Sequence, residues 1–161
     1  MPTLQRTGKE ITEIYNRQVD TVYRICFSFM KNTADTEDMV QETFLRLIRS
    51  GMTFQTEEHE KAWLIVTASN LCKDALKKWW RKTDDIESPS LHLSTPPFEV
   101  NHVLEAIMEL PANQKTVLYM YYYEGYSAED IAAYLKCPAS TVRSRLSRAR
   151  KTLRHKLGGD F

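Results

Sequence analysis

Apolar residues recur every three to four positions along most of the chain and seldom at every second one, so the pattern predicts helices rather than strands. A first helix is expected over about residues 11–30, with Tyr15, Val19, Val22, Ile25, Cys26 and Phe29 on one side. Asp35-Thr-Glu-Asp38 has the form of a capping box and predicts the start of a second helix. Its inward stripe is Val40, Phe44, Leu47 and Ile48, while Asp38, Gln41, Glu42 and Leu45 face outward. A third helix is expected over about residues 61–81, burying Leu64, Ala68, Leu71 and Ala75. Its opposite face is a basic polar ridge of Asn70, Lys73, Lys77 and Arg81. Residues 50–60 form a polar loop containing Gly51, longer than helix–helix connections usually are, and so a candidate functional loop.

The helical pattern breaks at residues 82–98, KTDDIESPSLHLSTPPF, where three prolines, three serines and three acids replace any apolar face. This stretch reads as a linker. Fully extended, its seventeen residues reach at most about 55–60 Å, a span of roughly one and a half turns of duplex DNA. The expected organisation is all-α: two small helical domains, 1–81 and 99–161, joined by an extended linker. In the second domain, a helix over about residues 99–110 ends at Pro111, and another over about 114–123 closes near Gly125. Ser127-Ala-Glu-Asp130 caps a short helix with Ile131, Ala132 and Leu135 inward. Lys136-Cys137-Pro138 then turns the chain into a final helix that runs to about Leu157, completing a helix-turn-helix.

On that final helix Val142, Leu146, Ala149 and Leu153 must pack inward. Ser140, Ser144, Ser147, Arg148 and Lys151 then face outward, flanked by Thr141, Arg143 and Arg154. Short hydroxyl side chains early in a helix let it sit close to a groove floor, and arginines reach phosphates or a guanine edge. Helix-turn-helix docking puts the N-terminal part of the second helix against bases. Ser140, Thr141, Ser144 and Arg148 are therefore expected nearest the bases, with Arg143, Lys151 and Arg154 on phosphates. The aromatic run Tyr119–Tyr123 is expected to fill a small core rather than to stack on nucleic acid.

The net charge of +1 is unpromising for a nucleic-acid binder, but its distribution is not. Residues 136–156 hold eight Lys or Arg and no acid, and residues 73–82, which include Lys78, hold five against Asp74 alone. Acids gather at residues 35–42, 57–60 and 84–87. Two basic patches suggest two nucleic-acid contacts, with acidic surface left for another partner. The three cysteines are widely separated and read as inert packing thiols in a reducing compartment. The scattered histidines suggest no metal site, and no nucleophile, paired carboxylates or phosphate-binding loop is apparent, so neither cofactor nor enzymatic activity is expected. Residues 1–10 lack the apolar core of a signal peptide and no apolar run is long enough to span a bilayer, which leads one to expect a cytoplasmic protein.

These modules resemble the small sigma factors of the extracytoplasmic-function class (group 4), which keep only regions 2 and 4 of the bacterial sigma family. The stretch from Asp35 to Leu47 looks like region 2.2, and Trp63-Leu with Asn70 and Asp74 ahead of a basic run looks like regions 2.3–2.4. Leu110-Pro, the run from Tyr126 to Leu135 and the run from Thr141 to Arg150 look like region 4. Lys136 stands where the family often has glycine, and Lys77 where an arginine is common.

The resemblance implies core RNA polymerase as a partner, through the β′ clamp helices and the β flap, together with promoter DNA and an anti-sigma factor. It implies that Asp38, Gln41, Glu42 and Leu45 bind the polymerase. Trp63, Asn70, Lys73, Lys77, Lys78 and Arg81 would contact the −10 element, and the helix-turn-helix the −35 element. Residues 54–60 are the candidates for a pocket holding an extruded base. The competing reading is a stand-alone helix-turn-helix regulator that binds duplex DNA without polymerase; an enzyme or a structural adaptor is a third.

Overall fold

A computed structural model describes residues 7–82 and 100–157, and every regular element among them is helical. The chain divides into two compact units, residues 1–95 and 96–161. Of the expected linker, only Lys82 falls within the described residues, where it closes a helix.

The first unit is three helices, each packed on the other two: α1 (Gly8–Met30), α2 (Thr33–Ser50) and α3 (Glu57–Lys82). Val22, Ile25, Cys26, Leu47, Leu64, Ile65, Ala68 and Cys72 are fully buried between them. Burial of each large aliphatic contributes about 1.5–3 kcal/mol. Cys26 and Cys72 are packing thiols as expected; hydrogen bonding to Cys72, together with burial, pushes the Cys26 thiol well above its ordinary pKa. Cys137, in the second unit, is only half-buried.

In this unit the helix starts lie earlier than the sequence pattern suggests, whereas the helix expected over about residues 99–110 begins later, at His102. α2 begins at Thr33 because Asn32 is its cap: the Asn32 side chain accepts from the Asp35 amide at 2.9 Å and donates to the Asp35 carboxylate at 2.7 Å. Asp35 is thus the inner partner of the cap rather than the cap itself. α3 begins at Glu57, where the Thr56 hydroxyl accepts from the His59 amide at 3.0 Å. The expected loop over residues 50–60 shrinks to 51–56. Glu57, Glu58 and Glu60 form the first turn of α3, where the helix dipole favours carboxylates.

The buried stripes also differ in part. On α3, Leu71 and Ala75 are only half-buried, and Ala62, Ile65 and Cys72 take the interior instead, because α3 packs against two helices at once and needs a wider apolar face. Tyr15 and Ile48 are exposed, and Val19 is half-buried; all three border an open groove between α1 and α2.

The second unit holds α4 (His102–Met108), α5 (Ala112–Leu118), α6 (Ala128–Leu135) and α7 (Ala139–Leu157). Asn101 caps α4 and Ser127 caps α6, each through a side-chain oxygen to a backbone amide two or three residues inside the helix. The expected helix over about 114–123 divides: α5 runs on into a π-helical segment, Tyr119–Tyr123, whose wider turn closes with Glu124 N donating to Tyr119 O at 3.2 Å. Tyr119 is fully buried with its ring stacked on Tyr123 at 5.0 Å, in keeping with the expected core role of this run, although Tyr122 is exposed. Between α6 and α7, Lys136 adopts the left-handed conformation, φ 57° and ψ 48°. A side chain there is strained by roughly 1–2 kcal/mol. Part of that is offset by the entropy glycine loses on folding, so Lys136→Gly is expected to stabilise this unit by about 0.5–1 kcal/mol. The check is a higher midpoint in thermal unfolding followed by tyrosine absorbance.

Candidate nucleic-acid interface

On α7 the inward stripe is the expected one, with Val142, Leu146, Ala149 and Leu153 all buried against α5 and α6. The opposite side exposes Ser140, Ser144, Ser147, Arg148 and Lys151, with Arg143 and Arg154 also exposed and Thr141 half-buried. Pro138 opens the first turn by accepting from the Thr141 amide at 3.0 Å. This orients the N-terminal end of α7, which carries its small hydroxyl residues, as a smooth polar face of the kind that enters a major groove.

The basic side chains of α7 are not equivalent. Arg143 pairs with Glu129 of α6 at 3.3 Å, an exposed ion pair of little energetic weight. The Arg150 guanidinium lies 5.4 Å and 5.5 Å from the centres of the Tyr121 and Tyr122 rings and donates to the Tyr122 hydroxyl at 2.9 Å. Lys156 donates to the Glu109 carbonyl at 3.2 Å. Ser140, Thr141, Ser144 and Arg148 instead line an open depression of about 460 Å³ together with Asn113 of α5 and Arg145. Asn113 and Arg145 are absent from the sequence-based candidates. Arg145 was detectable in the run of basic residues on α7, whereas Asn113 has no signal of its own.

In the first unit, Trp63, Asn70, Lys77 and Arg81 follow one another on α3 at intervals of seven, seven and four residues, which aligns them along one side of the helix. Asn70, Lys77 and Lys78 are exposed, and Trp63 and Lys73 are half-buried; the side chain of Arg81 lies outside the described residues. At the head of this line Phe54 packs against Trp63, ring centres 5.7 Å apart, and edge-on against His59 at 5.4 Å. Of the candidate pocket residues 54–60, Phe54 and His59 therefore join an aromatic cluster. Glu60 turns inward: its buried carboxylate accepts from Arg17 Nε and Nη2 and from Gln18 Nε2, each at 3.0 Å. These bonds tie the start of α3 to α1 and raise the Arg17 pKa further.

On α2, Asp38, Gln41 and Glu42 are exposed and Leu45 is half-buried. Beside them runs an apolar groove of about 560 Å³, bordered by Tyr15, Val19, Phe44, Leu45 and Ile48. Among the described residues no cluster of three or more potential metal ligands exists, and no helix is long and apolar enough to cross a membrane.

Residues 14–82 match the family model for sigma-70 region 2, and residues 101–153 match the model for sigma-70 region 4. An ECF RNA polymerase sigma factor, EcfG, from Rhodopseudomonas palustris is 30% identical over 141 residues, covering 84% of this chain and 78% of the relative. An ECF RNA polymerase sigma-E factor from Haemophilus influenzae is 31% identical over 142 residues, covering 76% and 75%. Among solved structures, the sigma factor RpoE from Bartonella quintana, crystallised with the anti-sigma factor NepR, superposes with a TM-score of 0.73. That match is at 25% identity and covers 95% of this chain and 99% of the other. With region 2 on the three-helix unit, region 4 on the helix-turn-helix and relatives of one class along both, the chain belongs to the extracytoplasmic-function class of RNA polymerase sigma factors.

Proposed function

We propose that this sigma factor holds core polymerase through α2 and promoter DNA through α3 and α7, with residues 1–81 and 99–161 as the two working domains and residues 82–98 as the tether. Asp38, Gln41 and Glu42 supply acidic and polar groups for a basic polymerase surface, and Leu45 with the adjacent groove supplies an apolar anchor. The line from Trp63 to Arg81, with Lys73 and Lys78 at its sides, faces the −10 strand, and the Phe54–His59–Trp63 cluster offers an aromatic surface for an unstacked base. Ser140, Thr141, Ser144 and Arg148 read the −35 bases, while Arg143, Lys151 and Arg154 approach phosphates. Strand opening is driven by binding energy, with catalysis left to the polymerase, so the protein acts without enzymatic activity and in the cytoplasm. An anti-sigma factor is a further partner, as in the Bartonella quintana complex.

The observation that carries this reading is the presence of both matched regions in one chain, since a helix-turn-helix alone equally suits a stand-alone regulator. The test is reconstitution with bacterial core polymerase on a genomic promoter library, followed by transcript mapping. New start sites are expected, and Arg148→Ala is expected to reduce initiation at −35-dependent promoters about tenfold or more. Failure to bind core, together with tight binding of a palindromic duplex by the chain alone, would establish the regulator instead.

A further inference from the structure

The polar cluster of Arg17, Gln18 and Glu60 is an unusual way to join two helices. Glu60 is buried, and Gln18 is 1% exposed. The Gln18 amide turns its N–H toward the Glu60 carboxylate, which leaves its own Oε1 buried and without a hydrogen bond among the described residues. Exchanging a buried ionic cluster for well-packed apolar side chains is often neutral or stabilising, so stability alone does not account for this arrangement. What the cluster adds is direction. The Arg17 fork meets both carboxylate oxygens at 3.0 Å, and two parallel N–H···O bonds fix the plane of a carboxylate as well as its place.

That direction is imposed on the first turn of α3. Glu60 stands next to His59 and three residues before Trp63, and the Phe54 ring rests on both. The loop carrying Phe54 leaves α2 through Gly51 in the left-handed conformation and enters α3 at Thr56, whose carbonyl accepts from the Glu60 amide at 3.1 Å. A first helical turn is where helices open most readily. Here Arg17 and Gln18 reach across from α1 and hold that turn by its inward side chain, directly beneath the aromatic cluster.

We propose that Arg17 and Gln18 are positioning residues for −10 recognition: by holding Glu60 they set the first turn of α3 so that Phe54, His59 and Trp63 form one surface for the unstacked base. The inference rests on that cluster being the base-receiving surface, and the test separates the two.

Holoenzyme assembled from core polymerase and the full-length chain is given a promoter recovered by transcript mapping, with each of the four bases placed in turn at every non-template position of its −10 element. Arg17→Ala is expected to lower the preference at one position about fivefold, on the order of what one stacked base contributes, with core affinity retained. Arg17→Lys keeps the charge without the fork, is milder for the fold, and is expected to lower the same preference by a smaller factor. Adding Glu60→Gln to Arg17→Ala should raise the denaturation midpoint without restoring the preference. In chain labelled with 5-fluorotryptophan, the fluorine resonance of Trp63, assigned through Trp63→Phe, should shift in Arg17→Ala while those of Trp79 and Trp80 stay in place. Wild-type preference in both Arg17 variants, recovery of preference in step with the midpoint, or an unmoved Trp63 resonance would each overturn the proposal. Phe54→Ala tests the surface itself. Retained preference there removes the base-receiving surface and the positioning role with it. Loss in Phe54→Ala beside full preference in the Arg17 variants keeps the surface and removes only the positioning.

Discussion

Asp38→Arg is expected to lower affinity for core polymerase about a hundredfold, the effect of roughly 2–3 kcal/mol when a like charge replaces an opposite one at a complementary surface. The fold does not depend on Asp38. Its side chain is exposed on α2 and makes no hydrogen bond or ion pair among the described residues, while Thr36, Val40 and Thr43 on the other side of the helix carry the packing. The thermal midpoint should therefore shift by no more than a surface substitution usually allows, about 0.5 kcal/mol. Affinity for core measured by fluorescence anisotropy, alongside a melting curve, reads both quantities. Unchanged affinity, or a loss of affinity that follows a loss of stability, would remove α2 from the polymerase contact. Arg148→Ala provides the reverse profile, with core affinity retained and −35 dependence lost. Identical behaviour of the two variants in a core pull-down would sink the division of labour between the units.

The second large effect is structural. Arg17→Ala is expected to destabilise the first unit by about 2–3 kcal/mol. The Glu60 side chain is only 7% exposed, and its oxygens are satisfied by two guanidinium N–H groups and one amide. Without Arg17, a buried carboxylate keeps a single neutral donor. Breaking a fully buried pair costs about 3–5 kcal/mol; the smaller value here reflects the 35% exposure of Arg17, which lets solvent screen the pair. Adding Glu60→Gln removes the stranded charge and is expected to recover part of the loss. The chain offers a convenient probe, because all three tryptophans, Trp63, Trp79 and Trp80, lie on α3. Tryptophan fluorescence therefore follows the first unit alone. An unaltered denaturation midpoint in that signal would show that the Arg17–Glu60 bridge is ornamental.

How much was legible in the sequence depended on how many neighbours each helix has. The inward face of α7 was readable residue by residue, because its apolar positions form one narrow stripe. α3 was misread beyond Ala68, because a helix wedged against two others buries a wider arc and a single i, i+4, i+7 line selects only part of it. The acidic run 57–60 read as part of a polar loop and of a candidate base pocket. Acids belong equally in loops and in the first turn of a helix, and only the Thr56 cap and the inward turn of Glu60 distinguish the two. Tyr15 and Ile48 have the hydropathy of core residues yet border an open groove, since periodicity marks an apolar side without saying whether the chain itself covers it. Asn113 was beyond reach for a different reason: the other residues lining its depression lie at least 27 positions away, and only the packing of α5 on α7 brings them to one surface.

The π-helical segment at Tyr119–Tyr123 makes length itself a constraint on the second unit. A π turn holds an additional residue relative to the α-helix on either side. Deleting one residue there lets the segment close as an ordinary α turn, but inserting one more between Tyr119 and Gly125 would rotate everything downstream by about 100° against α5. Ser127, Tyr126 and the whole reading head would then arrive out of phase, even if every remaining side chain were ideal for its role. In this stretch an insertion is a change of angle, and relatives are properly compared by counting residues before asking which letters differ.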